Sequence, residues 1–118
     1  MTNEEKIALL RQIDIMDVDS GLKNISNLVP AYLRILGLFA KKQLEDLVFS
    51  KDDMGQFSTT VHGYRSLLAN IGAVSLSVEA NGLEQAAKSG DADFIEANFD
   101  GFKSKVEGLA AQLREILG

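Results

Sequence analysis

Apolar residues recur along most of this chain at steps of three and four, the spacing that keeps one side of an α-helix apolar. No run alternates β-branched and polar residues between turn signals, so the pattern reads as all-helical. Asn3 to Ile13 sets Ile7, Leu10 and Ile13 on one side. Val18 to Ile25 reads as a short helix started by Asp19 or Ser20, with Leu22 and Ile25 inward. A long helix is expected over Leu28 to Val48, with Asn27 as its N-cap and Pro30 in the first turn, where a missing N–H costs nothing. Its stripe is Leu33, Leu36, Ala40, Leu44 and Leu47. The polar link Ser50-Lys51-Asp52-Asp53 ends it and offers an aspartate cap to a helix over Asp53 to Ile71, whose stripe is Met54, Phe57, Val61, Tyr64, Leu68 and Ile71. Gly72 ends that helix. Another covers Ala73 to Ser89, with Leu76, Ala80, Leu83 and Ala87 inward and Gly90 at its C-terminal turn. Asp91 caps the last, which runs to Leu117 on Ile95, Phe99, Phe102, Val106, Leu109, Leu113 and Ile116. Short links between long helices imply antiparallel neighbours. The expected architecture is an up-down-up-down four-helix bundle with a short helical N-terminal extension.

Composition narrows this picture. A chain of 118 residues is one domain, residues 1–118, with one core and no room for a second catalytic domain. There is no Cys, which excludes disulfide scaffolds, cysteine nucleophiles and Cys-based zinc sites. There is one His, which excludes a multi-His metal site. The net charge of -5 speaks against general nucleic-acid binding, which needs a basic face for phosphate. The polar start Met1-Thr2-Asn3-Glu4-Glu5-Lys6 is not a secretory signal. The most apolar stretch, Leu28 to Ala40, is interrupted by Pro30 and Arg34 and is too short to span a bilayer. A cytoplasmic protein is the expectation.

The helix over Asp53 to Ile71 carries the candidate chemistry. On a wheel of about 100° per residue, His62 points roughly 130° away from the apolar stripe and should be exposed. Around it on the outer face stand Gly55, Ser58, Thr59, Gly63, Ser66 and Ala69, all small, where a solvated helix normally carries Glu, Lys, Gln and Arg. Arg65 lies at i+3, one turn away. An exposed neutral imidazole is a competent nucleophile near pH 7. Small neighbours let another protein's active site approach, and a guanidinium at i+3 suits a phosphoryl group on the ring. No phosphate-binding glycine-rich loop follows a strand. Each feature also has a plain structural reading. An exposed His is ordinarily a polar surface residue, Arg65 pairs as well with a carboxylate, and a small-residue face also suits a second helix in an oligomer.

The segment Val61-His62-Gly63-Tyr64-Arg65-Ser66-Leu67-Leu68-Ala69-Asn70-Ile71-Gly72-Ala73 resembles the core motif of histidine-containing phosphotransfer (HPt) domains, His-x-x-Lys/Arg-Gly/Ser followed by a small-residue run and an Asn-Ile-Gly-Ala-like turn. Asp17 to Leu22, Tyr32 to Phe39, the pair Leu83-Glu84 and the turn Ser89-Gly90-Asp91 resemble other parts of that family, so the likeness extends over about Ile15 to Leu117. It implies a phosphorelay carrier in two-component signal transduction. His62 would accept a phosphoryl group from the phospho-aspartate of a response-regulator receiver domain and pass it to another receiver. Arg65, where the family usually has Lys, would steady the phosphate. Ser66, where Gly is commoner, would leave room beside it, and Gly55, Ser58, Thr59, Gly63 and Ala69 would meet the partner. The resemblance implies no cofactor in this chain, with Mg2+ expected only in the receiver; the self-contained bundle suggests a monomer, and the charge and the short apolar stretches suggest neither a nucleic-acid nor a membrane partner. A hybrid sensor histidine kinase is a further candidate partner, and Met1 favours a free-standing shuttle over a domain of such a kinase. The polar residues Glu84 and Lys88 lie within reach of the phosphate region in such a bundle, although solvated surface charges are the simpler expectation for both.

Two other readings compete. One is a docking module on the same fold that binds receivers without taking phosphate. The other is a small enzyme or metal protein, for which Asp14, Asp17 and Asp19 are the nearest carboxylate cluster, without the twelve-residue calcium-loop pattern. Nothing in the chain suggests a stand-alone kinase.

Overall fold

Thr2, Asp17, Asp53 and Asp91 each place a side-chain oxygen on the backbone N–H three residues ahead, at 3.0 to 3.1 Å, and a helix begins after each. Such caps satisfy N–H groups that have no partner within the helix and contribute about 1 kcal/mol apiece. The computed structural model describes residues 1–42 and 44–118. Among these are the helices α1 (Asn3–Leu10), α2 (Val18–Asn24), α3 (Val29–Lys41), α4 (Met54–Ile71), α5 (Val74–Ser89) and α6 (Ala92–Leu117), and no strand. At Thr2 the cap is reciprocal, because the Glu5 carboxylate accepts from the Thr2 N–H.

One hydrophobic core draws on every helix, and α4 supplies Phe57, Val61, Tyr64, Leu68 and Ile71 to it. Phe57 is packed edge-on between Phe49 and Phe99, with ring centroids 5.0 and 5.3 Å away. The α4–α5 pairing is the most extensive helix contact, while α6 packs against both α5 and α3. Among the described residues no helix is long and apolar enough to cross a membrane.

The rotation of α4 is set at its C-terminal end, where N-terminal elements bond its last carbonyls. Asn24 of α2 donates to the Ala69 and Asn70 carbonyls, each at 3.3 Å, and Tyr32 of α3 donates to the Ile71 carbonyl at 2.8 Å. The Asp17 N–H donates to the Gly72 carbonyl at 2.7 Å. Gly72 sits at φ +92°, where an L side chain is strained, and a Cβ there would run into the Asp17 carbonyl. Gly21 faces the Ile71 carbonyl and the Tyr32 ring so closely that it has no room for a Cβ either. Burial, then the charges of Asp17 and Asp19, push the Tyr32 phenol up to about 12, so it remains a donor at any ordinary pH.

Several boundaries depart from the periodic reading. The helix expected over Leu28 to Val48 stops at Lys41, and Lys42 turns extended (φ -64°, ψ 128°). Gln43, inside that expected helix, lies outside the described residues. Leu47 is nonetheless fully buried and Leu44 half-buried, both from non-helical chain. Two long-range bonds favour the exit. Arg114 of α6 donates to the Ala40 carbonyl at 2.6 Å, and the Tyr64 hydroxyl donates to Asp46 at 2.9 Å. Asn27 does not cap α3. It lies at φ 60° after Ser26 at φ 54°, and its N–H closes α2 onto the Leu22 carbonyl at 2.7 Å. Leu28 takes the N-cap position of α3 with no side-chain bond. The first helix ends at Leu10 rather than Ile13, which is buried from a turn, and Asp17 rather than Asp19 or Ser20 starts the second.

Candidate functional site

His62 lies in the middle of α4 with 53% of its side chain exposed. Around it Gly55, Thr59, Gly63, Ser66 and Ala69 are exposed and Ser58 is half-buried. A Cβ built on Gly55 or Gly63 would meet nothing within 4 Å, so packing inside this chain demands glycine at neither position. Arg65 is half-buried against α5.

What joins these residues is Glu84 of α5. The expectation of a solvated surface charge fails here: Glu84 is only 2% exposed and stands under the imidazole. Its Oε2 lies 3.0 Å from His62 Nδ1 and 3.0 Å from Lys88 Nζ. Its Oε1 lies 3.1 Å from Arg65 Nε, but off the line of a hydrogen bond, so the contact is one of charge. Burial works to raise the Glu84 pKa. The Lys88 and His62 hydrogen bonds and the Arg65 charge outweigh it and hold the carboxyl below its ordinary range. Lys88 is more than half exposed, so it reaches Glu84 as a surface cation over a buried anion.

The ring nitrogen Nδ1 is claimed twice, since Arg65 Nη2 also stands 3.0 Å away. A carboxylate only accepts and a guanidinium only donates, so one tautomer cannot serve both. An unprotonated Nδ1 would set a lone pair against a buried anion, a penalty of about 1–3 kcal/mol or more. A protonated Nδ1 leaves the facing Nη2 donor of a partly exposed guanidinium without that acceptor, which costs less. The partners therefore assign the proton to Nδ1. In the neutral ring that puts the lone pair on Nε2, which receives no hydrogen bond from the described residues.

Arg65 is itself held from α5. Its Nη1 donates to Asn81 Oδ1 at 3.2 Å, and the Ser77 hydroxyl donates to the Arg65 backbone carbonyl at 3.1 Å. A shallow cleft of about 290 Å³ opens here, lined by Arg65, Ser66, Ala69, Ser77, Val78 and Asn81. A larger cavity of about 670 Å³ lies away from His62, between the end of α3 and α6, where Lys41, Lys103 and Arg114 mix with Glu45 and Glu107.

Asn81 and Ser77 did not stand out in the sequence, and Glu84 was undervalued. A signal existed. Ser77, Asn81, Glu84 and Lys88 recur at steps of four, three and four, a polar stripe flanking the apolar one on α5. The acidic cluster does not converge: Asp17 caps α2 and Asp19 pairs with Arg11 at 2.8 Å. Among the described residues no group of three or more His, Asp or Glu side chains is placed to hold a metal ion. Compared with protein-family models, curated proteins and solved structures, the chain matches none.

Proposed function

We propose that this protein is a phosphoryl carrier of the histidine-containing phosphotransfer type, with His62 as acceptor and response-regulator receiver domains as donor and recipient. The observation that carries this reading is the exposed imidazole whose Nδ1 is turned onto a buried carboxylate while Nε2 faces outward. The antiparallel arrangement of α3, α4, α5 and α6 as a four-helix bundle belongs to the same reading. The short α4–α5 and α5–α6 connections and the packing of both α3 and α5 on α6 support it.

In the transfer, the Nε2 lone pair attacks the phosphorus of a receiver's aspartyl phosphate. The P–O bond to the aspartate breaks, and its electron pair leaves with the restored carboxylate. The ring becomes a phosphorylated imidazolium whose positive charge lies beside Glu84 through Nδ1–H. A preplaced anion next to a charge that develops during reaction lowers the barrier without reorganisation. Arg65 Nη2 stands 3.0 Å from Nδ1 on the other edge of the ring, so its cation lies near the phosphorylated imidazole and would have to swing toward Nε2 to meet the phosphoryl oxygens. Return to a second receiver reverses these steps. Mg2+ would come with the receiver, as the resemblance implies. The small outer face of α4 supports close docking, because bulk there would hold a partner's aspartate away from Nε2.

The test is incubation with a phosphorylated receiver, followed by assay for acid-labile, base-stable phosphate. His62→Gln abolishes uptake and leaves the protein folded, at a cost of about 1 kcal/mol for the altered hydrogen bond to the buried Glu84. Wild-type protein that takes no phosphate where a known carrier is loaded ends the reading. Receiver binding that survives His62→Ala, with no phosphohistidine in wild type, supports a docking module instead.

A further inference from the structure

We infer that Asn81 is a positioning residue for Arg65, selecting which edge of the guanidinium meets the imidazole. The inference rests on the carrier reading for its consequence, but its geometry stands apart from it. Arg65 offers five N–H donors on one rigid plane. Glu84 Oε1 stands 3.1 Å from Nε and Asn81 Oδ1 accepts from Nη1 at 3.2 Å. Two partners on two nitrogens fix a planar group in rotation as well as in place. What is left over is Nη2, and it is directed at the ring, 3.0 Å from Nδ1. With Glu84 alone, the guanidinium could pivot about Nε and turn Nη2 to solvent.

The Asn81 side chain is itself oriented. Its Oδ1 also accepts from Gln85 Nε2 at 3.4 Å, one turn further along α5, so two donors agree on which end of the amide faces Arg65. Asn81 also lines the cleft beside Arg65 and Ser66. Asparagine is a poor helix former, and at this half-buried position its gain is the acceptor it presents. Glu84 and Asn81 thus divide the work. The first holds the proton on the ring, and the second aims a spare donor at the space next to it.

The experiment has two arms. In the first, the Arg65 side-chain N–H signals are followed by NMR in the protein without phosphate, in wild type, Asn81→Ala and Asn81→Asp. Slow solvent exchange of these signals is expected in wild type, lost in Asn81→Ala and regained in Asn81→Asp, which keeps an acceptor at the same place. In the second, His62 is loaded directly with phosphoramidate. Nε2 attacks phosphorus, the P–N bond breaks and ammonia leaves, so no receiver is needed. The phosphohistidine lifetime is then read by 31P NMR. Losing one charge-assisted hydrogen bond predicts a lifetime about three- to tenfold shorter in Asn81→Ala. Arg65 signals and a lifetime that are both unchanged in Asn81→Ala overturn the inference. Signals that stay ordered while the lifetime falls overturn it too, because Asn81 would then act directly on the phosphate. Should wild type take no phosphoryl group, the carrier reading fails, and the first arm alone decides whether Asn81 orients Arg65.

Discussion

Two pairs of glycines on or against α4 look alike in the sequence and are opposites in the structure. At the C-terminal end, Gly21 and Gly72 have no space for a Cβ, and Gly72 holds a backbone angle that an L side chain resists. There the N-terminal elements press onto the end of the helix, and glycine is what lets the backbones touch. In the middle and at the start of the same helix, Gly63 and Gly55 face open space. Each costs the helix about 0.5–1 kcal/mol relative to Ala, and nothing inside the molecule recovers it. One pair is explained by the fold. The other is not, and the proposed carrier role would give it a reason, since small residues near His62 leave room for a receiver.

The largest effect is expected at the clasp. Gly72→Ala adds left-handed strain and a collision with Asp17, together about 3 kcal/mol and a fall in Tm of roughly 10 °C by calorimetry. A loss below about 1 kcal/mol would mean that the α2 contact is loose and does not set the rotation of α4.

Next comes Glu84, the buried link between the two faces of the site. Glu84→Gln leaves Lys88 and Arg65 facing a neutral amide and costs about 1–3 kcal/mol in urea unfolding at pH 7. The sign of its pH dependence follows from the lowered pKa. The folded state binds the proton less readily than the unfolded chain, whose carboxyl lies near its ordinary 4.5. The stabilisation is therefore complete above that value and is lost as pH falls through the lower folded pKa. The gap between wild type and Glu84→Gln should close in acid, and a gap constant from pH 7 to pH 3 would contradict the charged pairing. Phosphoryl uptake by Glu84→Gln should also fall about tenfold or more, since the ring loses the partner that keeps its proton on Nδ1.

The smallest effect has the opposite sign. Gly63→Ala should stabilise the protein by about 0.5–1 kcal/mol while weakening receiver docking in a titration. Destabilisation would show that Gly63 packs within the chain, and unchanged docking would remove the reason for its smallness. Measured side by side, the clasp and the open face should answer the same substitution in opposite directions.

Much of the fold was legible because helix periodicity and capping are local. Asp53 and Asp91 cap where expected, Gly72 and Gly90 close helices in left-handed geometry, and the α4 stripe from Phe57 to Ile71 is buried. The overrun of α3 has a specific cause. Leu44 and Leu47 keep the helical period, yet they reach the core from either side of a turn, which Asp46 ties to Tyr64. Asn27 was misplaced because Asn serves both helix starts and left-handed closures, and only the Leu22 carbonyl decides between them.

At the site the division is sharper. The outward direction of His62 follows from its angle to an apolar stripe on its own helix, so the sequence alone determined it, together with the small residues around it and the cation one turn away. The burial of Glu84 depends on α5 lying against α4, twenty-two residues further along the chain. Whether a carboxylate on the edge of a stripe is solvated or covered is set by the neighbouring helix, and periodicity does not contain that information. Only the tertiary structure placed an anion under the imidazole and an amide against the guanidinium, and with them it chose which ring nitrogen keeps its lone pair.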